Sequence, residues 1–111
     1  MKLEIHERLA LLELLPLESD YAGWKEIRVA KEVLELTPEE KEFIEYRLVT
    51  LSNGAQQIHW NEIKSMDAVR DIPLSEYIIS TLREILANLS KKKKLTEKTL
   101  SVYEKIVVMY L

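Results

Sequence analysis

Ser75–Ser90, SEYIISTLREILANLS, is the stretch whose reading decides the fold. At 100° per residue, Leu74, Tyr77, Ile78, Ile79, Leu82, Ile85, Leu86 and Leu89 fill one broad arc. Glu76, Arg83, Glu84, Ala87 and Asn88 fall outside it, the pattern of a helix that buries one face. Ser75 is placed to cap the first turn, and Leu74 and Ile79 sit where a hydrophobic staple closes. Pro73 keeps Ile72 out of the α region and marks the start. A helix with so wide an apolar arc needs partners, and the rest of the chain must supply them.

Toward the C-terminus, Lys91-Lys92-Lys93-Lys94 suits the negative pole of that helix. Thr96 then caps a last helix with Leu100, Tyr103, Val107 and Tyr110 on one stripe and Val102, Ile106 and Met109 beside it. That helix either docks into the fold or meets a second copy in a homodimer. Toward the N-terminus, Asn61 to Asp71 is a weakly patterned connection, with a short third strand at Val69 to Ile72. Before it the period shifts from helical to alternating. Tyr46, Leu48 and Thr50 alternate with Arg47, Val49 and Leu51, and Gln56 to Trp60 forms a second strand. Asn53-Gly54 between them is the strongest short hairpin signal. The spacing predicts a β-hairpin over 46–60, and two strands alone are marginal unless one face packs on the helices.

Upstream, Thr37-Pro38-Glu39-Glu40 combines an N-cap, a proline at the first helical position and a glutamate that completes a capping box. A short helix follows to about Glu45. A second helix covers about Gly23 to Leu36, with Ile27, Ala30, Val33 and Leu34 on a wide apolar arc. The first covers residues 3–15, LEIHERLALLELL, and Pro16 ends it. The reading is an α+β fold, mostly helical, in the order α-α-α-β-β-α-α, forming one domain over residues 1–111 with one β-hairpin packed on the helices.

Cysteine is absent, which removes disulfide frameworks, thiolate metal sites and thiol catalysis. Glu4, Glu7, Arg8 and Glu13 interrupt the apolar N-terminal run, so neither a signal peptide nor a membrane span is expected, and the cytoplasm is the expected location. Net charge is −3, unevenly spread: residues 1–50 hold twelve acids against seven bases, residues 51–111 seven against nine. Such asymmetry bears on partners and solubility rather than on fold.

Several strings, in order, resemble small proteins of bacteriophages and prophages with no assigned activity. They are Glu7-Arg8-Leu9 with Leu11-Leu12 and Leu14-Leu15-Pro16, then Lys25 with Ile27-Arg28, and the Thr37–Glu40 cap. They continue through Gln57-Ile58 with Trp60-Asn61, and Lys94-Leu95-Thr96 leading to Tyr103-Glu104-Lys105. The resemblance implies a viral or prophage origin and an accessory role, and it carries over no catalytic residue.

Catalytic and cofactor chemistry finds little to stand on. His6 and His59 are far apart in sequence and neither belongs to a ligand motif, so no metal and no cofactor is expected. Glutamates 32, 35, 39, 40, 42 and 45 are too evenly helix-surface-like to nominate an acid–base pair. No GxSxG occurs, and two glycines do not make a phosphate cradle. The chain reads as a non-enzyme.

Two binding readings remain. Three helices followed by a hairpin are the order of a winged helix-turn-helix DNA-binding regulator. Its recognition helix would be either PEEKEFIE, which phosphates repel, or the 23–36 helix, where Lys25, Arg28 and Lys31 face Glu26, Glu32 and Glu35. The stronger reading is association with a protein partner, host or viral. Trp24 and Trp60 are of the aromatic type enriched at interface hot spots. Glu32, Glu35, Glu39, Glu40 and Glu42 give an acidic face suited to a basic surface, as in an inhibitor of a host or defence protein.

Overall fold

The computed structural model describes residues 1–109. Tyr110, on the stripe of the last helix, and Leu111 lie outside the described residues. Six helices and two small sheets follow in the order β1 (Lys2–Leu3), α1 (Ile5–Leu14), α2 (Tyr21–Leu34), α3 (Pro38–Phe43), β2 (Arg47–Thr50), β3 (Gln56–His59), α4 (Glu62–Ser65), β4 (Arg70–Asp71), α5 (Glu76–Lys91) and α6 (Glu97–Tyr103). A 3₁₀ turn, Met66–Ala68, follows α4, and a π-helical turn, Glu104–Val108, extends α6. The fold is α+β, with the expected hairpin and helix order.

Local chemistry sets most of the boundaries. The Thr37 hydroxyl accepts from Glu40 N–H at 3.1 Å while Thr37 N–H donates to Glu40 Oε1 at 3.0 Å, the reciprocal box the sequence predicts. Ser75 Oγ accepts from Ile78 N–H, and Asp20 Oδ1 accepts from Gly23 N–H, so α2 starts two residues before the expected Gly23. The hairpin closes through Leu51 N–H to Ala55 O, with Gly54 at φ +85°, in the left-handed region that glycine enters freely.

Helix α1 is apolar on nearly every side, which suits a helix surrounded by others. It packs against α2, α5 and α6, and Leu11 and Leu15 join Ile27, Leu34, Ile78, Leu82, Leu86, Val102 and Ile106 in the main core. A second cluster, Ile5, Leu36 and Ile44, takes Tyr46 and Trp60, the residues flanking the two strands at the base of the hairpin. The hairpin therefore meets the body at its base, and Leu48 and Ile58 further along it are exposed.

Several details differ from the sequence reading. The expected helix over 3–15 begins at Ile5, because Lys2 and Leu3 form a strand. The strand expected at Val69 to Ile72 exists at Arg70–Asp71, and it pairs antiparallel with β1, Lys2 opposite Asp71 and Leu3 opposite Arg70. The hairpin thus stays a separate two-stranded sheet. The connection after it is partly helical, since Asn61 Oδ1 accepts from Lys64 N–H and caps α4.

Candidate functional site

The charged residues of α1 divide between surface and interior. Glu7 is 0% exposed and Arg8 1%. Arg8 donates from Nε to Leu34 O at 3.1 Å, from Nη2 to Glu35 O at 2.7 Å, and from both terminal nitrogens to the two carboxylate oxygens of Glu40. Burial alone raises the Glu40 carboxyl. Hydrogen bonds from Arg8 and Thr37 N–H, with the charges of Arg8 and Arg70, carry it down from 4.5 to about 2. The Glu40 side chain is only 12% exposed. It is part of the framework, with one edge reaching the surface.

That edge lies in a shallow recess of about 270 Å³ lined by Glu39, Glu40 and Phe43 of α3 and by Asp67, Ala68, Val69 and Arg70. Phe43 is 48% exposed and Val69 42%. Ile44, the C-cap one residue on, is fully buried, while Phe43 at the last helical position stays half-exposed. Glu39 and Asp67 are exposed, and Arg70 Nη1 reaches Glu40 Oε1 at 3.3 Å. The recess is an apolar floor with carboxylates beside it and one arginine held by Glu40.

Of the residues nominated from sequence, the recess unites Glu39 and Glu40. Glu42 is exposed on the same short helix, and Glu32 and Glu35 are exposed on α2 and its C-cap. Trp24 is half-buried against the main core, with Lys31 Nζ 5.7 Å from its ring. Trp60 packs on the other cluster, so the two tryptophans serve different cores. Phe43, Asp67, Val69 and Arg70 were not nominated. The adjacent apolar pair Phe43-Ile44 at the end of a short helix was the available signal.

A larger cleft, about 580 Å³, runs between α1 and the hairpin. His6, Leu9, Ala10 and Glu13 form one wall, residues 56–60 the other, and Glu62 and Lys98 also line it. The two histidines, remote in sequence, thus line one cleft. Among the described residues one group has metal-ligand spacing: Glu4, His6 and Glu7 offer ligand atoms within 4.8 Å of one another. Its chemistry opposes a cation. Lys105 Nζ already donates to Glu7 Oε1 at 2.6 Å, and the three residues sit at the positive end of α1. Burial pushes the Glu7 carboxyl up, while Glu4 N–H, Lys105 and Ser101 together hold it below its usual value.

Comparison with protein-family models, curated proteins and solved structures finds no match to this chain. Among the described residues no helix is long and apolar enough to cross a membrane.

Proposed function

We propose that this is a non-catalytic accessory protein of phage or prophage origin that binds a host or viral protein through the α3 recess. One observation supports the reading most: half-exposed Phe43 and Val69 line one recess with the carboxylates of Glu39 and Asp67. An apolar anchor in a recess with a charged border, here two exposed carboxylates and the Arg70 that Glu40 holds, is the anatomy of an interface centre and its rim. The matching surface is basic, with an aliphatic or aromatic side chain seated on Phe43. Glu42, and Glu32 and Glu35 on α2, extend the negative field that steers such a partner.

The DNA-binding alternative would use α3, or α2 with its exposed Glu32, as its reading helix and the hairpin as its wing. A six-residue helix with Glu39 and Glu42 exposed and a single lysine fits phosphates poorly. The test is affinity capture from bacterial lysate with the wild type, with the Glu39→Lys/Glu42→Lys/Asp67→Lys variant, and with Phe43→Ser. Glu40 stays untouched because it holds Arg8. The expected result is one protein captured by the wild type and lost from both variants, with unchanged circular dichroism. Capture unaffected by either variant, or a salt-sensitive DNA shift by the wild type, overturns the reading.

A further inference from the structure

The cleft between the hairpin and α1 has a wall of an unusual kind. Five successive residues, Gln56, Gln57, Ile58, His59 and Trp60, line it. The face of a strand presents every second residue, so an unbroken run means that the edge of β3 is turned to the cleft. Among the described residues that edge is unpaired, because β3 bonds only to β2. Leu51 N–H donates to Ala55 O, and the register sets Val49 opposite Gln57 and Arg47 opposite His59. Alternation along an antiparallel ladder then turns the N–H and C=O groups of Gln56 and Ile58 away from β2. Among the described residues no other group bonds them.

Open edges are ordinarily blunted by shortness, a cover, lysine, proline, a bulge or an inward charge. β3 is four residues long, and residues 56–59 read Gln-Gln-Ile-His, with no lysine, proline, bulge or carboxylate. Across the cleft, His6, Leu9, Ala10 and Glu13 form a single i, i+3, i+4, i+7 stripe of α1, which runs as a wall facing the edge. The volume of about 580 Å³ is that of a binding cleft, within the rough range of 300–1,000 Å³.

We infer that this cleft takes an extended segment of a partner polypeptide, flanked by basic residues, which adds to β3 as the third strand of the hairpin sheet. Strand addition draws its affinity from main-chain bonds and its selectivity from alternate side chains. Side chains of the added strand alternate between the two faces of the hairpin sheet, and its outer edge faces the α1 stripe. Glu13 and Glu62 outnumber Lys98 among the charged groups of the lining, so the flanking residues are Lys or Arg. A second copy is the poorer occupant. Its β3 enters with its own β2 attached, and the cleft must then be wider by one strand spacing, about 4.8 Å. The inference does not rest on the α3 recess.

The probe is the capped hexapeptide Lys-Val-Thr-Val-Thr-Lys, titrated into the isotope-labelled full chain to millimolar concentration. The expected result is saturable amide shifts at Gln56 and Ile58, with slowed hydrogen exchange at both. Methylating the four valine and threonine amides of the probe weakens binding at least tenfold, as does Ile58→Pro, which removes an N–H that β2 does not use. Replacing both probe lysines by glutamate weakens it similarly. The Glu39→Lys/Glu42→Lys/Asp67→Lys variant binds the probe unchanged, which separates this cleft from the recess. Absence of saturable shifts at β3, equal binding of the methylated probe, or a concentration-dependent dimer that protects β3 without the probe overturns the inference.

Discussion

The guanidinium of Arg8 joins the end of α2 to the start of α3 by grasping the carboxylate of Glu40. Its other N–H groups close on Leu34 O and Glu35 O, carbonyls left open at the C-terminus of α2. Glu40 meanwhile completes the capping box of α3. A cation at one helix's negative end and an anion at the next helix's positive end both satisfy the helix dipoles. Three helices meet in one hydrogen-bonded knot.

Acid should untie that knot. Glu40 is held at about 2, against 4.5 for the free side chain. A carboxyl depressed by folding contributes stability that is complete above 4.5 and is lost as pH falls through 2. The shift corresponds to about 3 kcal/mol. Urea unfolding of Glu40→Gln is expected to show a loss of about that size at pH 7. Between pH 4.5 and 2 its stability should fall less steeply than that of the wild type. Equal slopes for the two proteins would refute the assignment.

Lys105 should be indispensable for a different reason. It is the cation beside fully buried Glu7, 2.6 Å from Oε1. Removing one member of a buried pair strands the other, at a cost on the order of 3–5 kcal/mol. In Lys105→Met the Glu7 carboxyl loses its cation and titrates higher than in the wild type. The contribution of Glu7 to stability then falls less steeply as pH drops than in the wild type. Adding Glu7→Gln should restore much of the loss. A double-mutant cycle in which the two costs simply add would contradict the pairing.

These two ion pairs mark where sequence legibility stops. Caps and turns were readable because their chemistry spans three or four residues: Thr37 with Glu40, Ser75 with Ile78, Asn53-Gly54. The partners of Arg8 and Glu7 lie 32 and 98 residues away, and a charged residue on a periodic helix reads as surface until such a partner is known. Strand β1 escaped notice similarly, being two residues paired across most of the chain. In the recess, Glu39 and Glu40 are legible as members of an acidic run in the sequence. Val69, Asp67 and Arg70 come from a distant turn that only tertiary packing brings to Phe43.

The hairpin should open independently of the body. Tyr46 and Trp60 anchor its base, while Leu48 and Ile58 are exposed. A two-stranded sheet with so little burial is marginal. Amides of Val49 and Gln57 are therefore expected to exchange with solvent far faster than those of Leu82 and Leu86 in α5. Trp60→Ala should speed the hairpin amides at least tenfold beyond its effect on global stability. Uniform acceleration across hairpin and α5 would show instead that the hairpin opens only with the whole domain.

Two helices end on residues in the left-handed region that are not glycine: Glu45 at φ 58° and Lys93 at φ 57°. Both ends are Schellman motifs. Tyr46 N–H bonds to Lys41 O at 2.9 Å, and Lys94 N–H bonds to Leu89 O at 2.8 Å. An L side chain in this region costs roughly 1–2 kcal/mol. Glycine removes that strain but gives back part of the gain through the freer unfolded chain. Lys93→Gly should therefore stabilise by about 0.5–1 kcal/mol, raising Tm by a few degrees in a domain of this size. It also thins a crowded lysine run. Glu45 differs because its carboxylate accepts from Asn61 Nδ2 at 2.9 Å and lies 3.6 Å from Lys64 Nζ. Glu45→Gly forfeits both contacts and should gain less, or nothing. Calorimetry on the two variants decides the matter: a Tm for Lys93→Gly no higher than that for Glu45→Gly would mean that backbone strain is not what limits these helix ends.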